Sequence, residues 1–104
     1  MALTTNQITS LTQTVYTSTN DSAVTFLSLC NQGTVTRTVD IHIVKSGDSP
    51  DLTNIVVSAL DIVADDTYML YGAGEKLILE NGDYIAVVVD AINDVTAVVS
   101  SVQV

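Results

Sequence analysis

Thr36-Arg37-Thr38-Val39-Asp40-Ile41-His42-Ile43-Val44-Lys45 is the stretch whose pattern decides the fold. Val39, Ile41 and Ile43 alternate with Thr38, Asp40 and His42, and a period of two belongs to an extended chain whose successive side chains point to opposite sides. One side of this strand is apolar and faces a core; the other is polar. No segment of the chain carries apolar residues at i, i+3, i+4 and i+7 between capping residues, so no helix longer than a turn is expected.

Working outward, Ala23 to Asn31 is apolar on both sides, with Val24, Phe26 and Cys30 against Leu27 and Leu29. That is the pattern of a central strand covered on both faces. Leu11 to Thr17 sets Leu11, Gln13 and Val15 against Thr12, Thr14 and Tyr16; neither side is cleanly apolar, as in an edge strand. Beyond Lys45, Ser46-Gly47-Asp48-Ser49-Pro50-Asp51 holds the only proline and reads as a surface loop. Asn54 to Ala64 is extended with a break near Ser58, and Asp65-Asp66 turns it into Thr67 to Tyr71. Gly72-Ala73-Gly74 bends the chain into Glu75 to Glu80, and Asn81-Gly82 has the residue types of a type I′ hairpin turn leading to Asp83 to Asp90. Val95 to Val104 closes the series.

These segments predict an all-β fold, an antiparallel β-sandwich of about eight strands in an immunoglobulin-like or jelly-roll-like arrangement. Val, Ile and Thr number 16, 8 and 14, so 38 of 104 residues are β-branched, the class best fitted to a pleated surface. The length suits one domain, set at 11–104, with 1–10 as an extended N-terminal arm that is polar apart from Leu3 and Ile8.

Three Lys and Arg against twelve Asp and Glu give a net charge of −9, a field that repels phosphate backbones and anionic lipid, so nucleic acid is excluded as a direct partner. No apolar run approaches the roughly 20 residues that cross a bilayer, and Met1 to Ser10 lacks a basic start and an apolar stretch; neither a membrane span nor a signal peptide is expected. The single cysteine, Cys30, rules out an intrachain disulfide.

Chemistry-bearing residues are few. Asp40 and His42 share a strand face and could form an acid/base or metal pair, yet they lack a third partner, and a solvent-facing polar row opposite Val39, Ile41 and Ile43 accounts for them with no chemistry at all. Cys30 sits in an apolar strand as a small buried hydrophobe. Asp48, Asp51, Asp65 and Asp66 match no calcium-loop spacing and are turn residues. Gly72-Ala73-Gly74 lacks the following helix and third glycine of a phosphate-binding turn. No catalytic, metal or cofactor-binding residue is therefore assigned, and no enzymatic activity is expected.

The closing strands point to assembly. Val87, Val88, Val89, Val98 and Val99 place bulk on both faces, whereas a two-layer sandwich has one interior. Leftover apolar surface marks contact with other chains, and the residues assigned to such an interface are Leu3, Ile8, Tyr16, Val88, Val98 and Val102.

Val15-Tyr16-Thr17, a strand closing on Leu29-Cys30-Asn31, the Val39 to Val44 strand, the lone loop, Leu77-Ile78-Leu79, and Gly82-Asp83 before Ile85 together resemble small β-sandwich virion proteins of tailed bacteriophages. The likeness runs from about Leu11 to Ser101; it departs at Ser18-Thr19-Asn20-Asp21, where the pattern often has a proline or glycine. It implies a non-enzymatic capsid decoration or cement subunit, made in the host cytoplasm and carried on the particle surface. Its implied partners are the major capsid protein or other virion proteins and further copies of itself, with a trimer favoured. A neck, tail or baseplate component is the alternative. A glycan-binding module using Asp48, Asp51, Asp65 and Tyr71 is another, although four tyrosines and no tryptophan make a poor stacking platform.

Overall fold

The computed structural model describes residues 2–70 and 77–104. Within them lie nine strands and no helix: β1 Ala2–Gln7, β2 Thr12–Thr17, β3 Ser22–Asn31, β4 Arg37–Val44, β5 Ile55–Ile62, β6 Thr67–Leu70, β7 Leu77–Leu79, β8 Tyr84–Val89 and β9 Val95–Gln103. They form two antiparallel sheets. One runs β1-β9-β3-β6, with β7 also on β3; the other runs β2-β8-β4-β5. Between them the alternating apolar residues of β3, β4, β8 and β9 meet, with Val24, Leu27, Leu29, Val39, Ile41, Ile85, Val87, Val95 and Val99 almost wholly removed from water. Each such side chain contributes about 1.5–3 kcal/mol of transfer free energy.

In β4, Val39 and Ile41 are core and Asp40 lies on the outer side, as the alternation requires; His42, on that outer side too, is buried and does not face solvent as expected of the polar row. β2 is an edge strand and β3 is central in its sheet. The break near Ser58 is a bulge, where pairing steps from Val39↔Leu60 to Ile41↔Val57 and Ala59 takes a φ of 51°.

Three expectations are corrected. Residues 1–10 are not an arm outside the domain: β1 pairs along β9 from Ala2↔Ser101 to Gln7↔Thr96. Ile8, just after it, is fully buried; its N–H donates to the Val95 carbonyl at 2.8 Å and its carbonyl accepts the Asn93 N–H at 2.7 Å. An edge strand needs little apolar alternation, so Thr4 and Thr5 suffice where a core strand would need more. Asn81-Gly82 does not join a hairpin, because β7 pairs with β3 whereas β8 pairs with β2 and β4. Only Gly82 of the two has positive φ, 89°, and Asp83 N–H donates to the Glu80 carbonyl, so the turn carries the chain from one sheet to the other. Cys30 is half-buried on the outside of its sheet and is no core residue. The Gly72-Ala73-Gly74 bend lies outside the described residues.

Candidate functional site

A bulge in β3 creates the most distinctive surface. Pairing of β3 with β9 shifts register between Val24 and Phe26, and an extra residue there turns the following side chains to the other face. Directly opposed residues of antiparallel strands share a face. Val24, Leu27 and Leu29 thus point inward with Ser101, Val99 and Ala97, while Ala23, Phe26, Ser28 and Cys30 point outward with Val102, Ser100, Val98 and Thr96. Leu3, Thr5 and Gln7 of β1 extend the outer side in one direction. Met69 and Thr67 of β6 and Ile78 of β7 extend it in the other.

Not one of these outward residues is charged, in a chain of net charge −9. Leu3, Met69 and Ile78 are 68%, 62% and 61% exposed, and Phe26, Cys30, Val98 and Val102 are half-buried among them. Large apolar side chains alternate with Ser28, Ser100 and Ala23, which leaves a relief of knobs and pits.

Of the six residues assigned to an interface from the sequence, Leu3, Val98 and Val102 share this face. Val88 lies on the outer side of the other sheet, opposite Asp40 and Thr12. Ile8 belongs to the chain's own core and presents nothing to a partner. Tyr16 leans against that core, with its hydroxyl 2.9 Å from Ser22 Oγ. Phe26, Met69 and Ile78 were missed. The signal was present in β3, apolar on both sides yet, in the single chain, covered by a sheet on only one.

The opposite outer face sets Thr12, Thr38, Asp40, His42 and Asp61 beside Val44, Ala86 and Val88, and is partly roofed by the loop between β4 and β5. Tyr84 donates its hydroxyl to the Asp48 carbonyl at 2.7 Å, and Asn54 Nδ2 donates to the Ser49 carbonyl at 2.9 Å. His42 Nδ1 is 2.8 Å from Asn54 Oδ1; an amide oxygen only accepts, so Nδ1 carries the hydrogen. Asp40 Oδ1 accepts the Ala59 N–H at 2.6 Å across the β5 bulge. Asp40 and His42 therefore share a face, as expected, but each holds a different piece of β5 and its loop.

The carboxylates of Asp51 and Asp66 are likewise committed to neighbouring backbone. Asp51 Oδ1 accepts both the Thr53 N–H and the Thr53 hydroxyl, and these bonds hold its carboxyl below the ordinary carboxylate range. Asp66 Oδ1 accepts the Thr67 N–H at 2.9 Å. Asp48 and Asp51 stand at the end of the sandwich where β5 begins, and Asp65 stands at the end where it finishes. The constellation named for a glycan is thus divided between opposite ends, and its Tyr71 lies outside the described residues. Among the described residues no group of three or more His, Cys, Asp or Glu is placed to hold a metal ion.

Two further surfaces stand out. An open cleft of about 610 Å³ between the ends of β1, β2 and β9 is lined by hydroxyls and amides, including Thr4, Tyr16, Ser22 and Ser101, with no carboxylate, imidazole or amine. At the end holding the loops before β2, β4 and β9, Leu11, Val35, Val63 and Ile92 are exposed. Its loops are tied together: buried Asn31 donates to the carbonyls of Val35 and Ile62 at 2.8 Å each, and Arg37 Nε meets Asp94 Oδ2 at 2.7 Å.

Comparison with known proteins finds no matching family model, no similar curated protein and no similar solved structure.

Proposed function

We propose that this chain is a non-enzymatic structural subunit of a phage virion, a decoration or cement protein that strengthens a head through protein–protein contacts. The uncharged, apolar outer face of the β1-β9-β3-β6 sheet carries this reading. Exposed apolar area of that kind is covered by protein in a working assembly, and the acidic remainder keeps free subunits apart until they meet it. The aliphatic loop end offers a second contact surface, as a subunit joined both to its own kind and to a shell requires. Binding only to the folded form would add its free energy to the stability of the shell.

The test is sedimentation of the purified chain with heads assembled without it. The expected result is saturable retention on the heads at a fixed copy number per capsomer, together with a higher temperature of head rupture. A chain that stays in the supernatant overturns the proposal. Retention by tails or baseplates in place of heads overturns the assignment to the head.

A further inference from the structure

We infer that the uncharged face is covered by a second copy of this chain, the two β1-β9-β3-β6 sheets packing against each other about a two-fold axis. This rests on the assembly reading above and names the partner for that face.

Charge selects the occupant. Each copy carries −9, so two copies brought together through the Asp-bearing loops or the sheet face of Asp40 and Asp61 gather like charges at the contact, which disfavours that pairing. Through the face of Phe26, Val98 and Met69 they bring together no charge among the described residues. A foreign partner recruited by electrostatic attraction would be basic and would seat on the acidic surfaces instead.

Area and relief agree. β3 has ten residues, about 33 Å at about 3.3 Å per residue, and four strand positions at about 4.8 Å span about 19 Å. Pairing the faces removes on the order of 600 Å² from each copy, about 1,200 Å² together, the lower bound of standard specific interfaces. Across the face run the rows Thr5-Val98-Ser28-Met69 and Val102-Ala23-Ile78. Small and large residues alternate within them, so a two-fold mate sets its large side chains over small ones, as inner sheet faces interdigitate. A face that meets itself closes as a pair, so the building block is a dimer in place of the trimer that the resemblance implies.

Sedimentation equilibrium of the full chain from about micromolar to about millimolar concentration tests this. The expected result is a mass rising from 11.0 kDa to twice that value. Met69→Glu combined with Ile78→Glu, both at exposed positions, raises the dissociation constant about 30-fold or more, the effect of losing interface anchors. Leu3→Glu at the other margin acts in the same direction, and Val56→Glu on β5 leaves the dissociation constant unchanged. Wild-type chain that stays monomeric throughout, or a dimer indifferent to the Glu variants on this face, overturns the pairing. The two proposals fail separately: a monomer that heads still retain sinks the pairing alone, and a dimer that heads ignore sinks the virion reading alone.

Discussion

At the residue scale, the end of the sandwich near β9 shows how little slack the turns have. A Cβ on Gly33 would lie 2.5 Å from Asp94 Cγ and 2.7 and 2.8 Å from its two carboxylate oxygens. The carboxylate cannot simply swing away, because Arg37 holds it at 2.7 Å. Gly33→Ala is therefore expected to destabilise the fold by about 1–3 kcal/mol, the cost of overpacking a fixed site, read as a lower urea midpoint at unchanged slope; an unmoved midpoint contradicts it. Asp51 gives a second test. Two bonds from Thr53 favour its charged form, so its carboxyl titrates below the ordinary value of 3.8. A lowered native pKa means that this group's contribution to stability is present above the ordinary range and fades as pH falls through its own lower value. A carboxyl-carbon NMR titration should place Asp51 below 3.8, and Thr53→Ala should move its midpoint upward.

At the element scale, β1 separates two views of the N-terminus. As a strand hydrogen-bonded along six residues of β9, its deletion (residues 2–7) should cost about 3 kcal/mol or more, since each lost backbone bond is worth about 1 kcal/mol net. Leu3→Ala, at an exposed position, should stay within about 0.5 kcal/mol. Urea unfolding of the two variants checks both, and a deletion without effect restores the free arm. β1 escaped recognition because Leu3 and Ile8 are isolated in a polar stretch, and an edge strand is specified mainly by the neighbour it pairs with. The strong alternation of β4 and the doubly apolar β3 were legible, because burial writes itself directly into side-chain type. The turn at Asn81-Gly82 was legible as a turn and not as a crossing between sheets: local residues set φ, while distant strands decide which sheet receives the chain. The outer face was half legible. Leu3, Val98 and Val102 follow from surplus apolar bulk, but placing Phe26 beside them needs the bulge at Thr25, and nothing in that residue type announces one.

At the scale of the whole molecule, the sandwich sorts its surface by charge. Among the described residues, carboxylates occupy loops, turns and the outer side of the β2-β8-β4-β5 sheet, where those of Asp40, Asp51 and Asp66 accept backbone N–H groups, and the other outer side carries none. An acidic body with one side free of charge among the described residues has an orientation built in, because that side approaches a like-charged copy with less repulsion than the Asp-bearing ones. The account stands on that side being covered by protein when the chain is at work. Met69 reports on it directly, since its exposed thioether is open to peroxide in the free chain and closed to it under a partner. Mass spectrometry of the Met69 peptide should show oxidation at full rate in dilute protein, slowing in step with the associated fraction as concentration rises or heads are added. A Met69 oxidised equally fast in dilute, concentrated and head-bound protein would contradict the account.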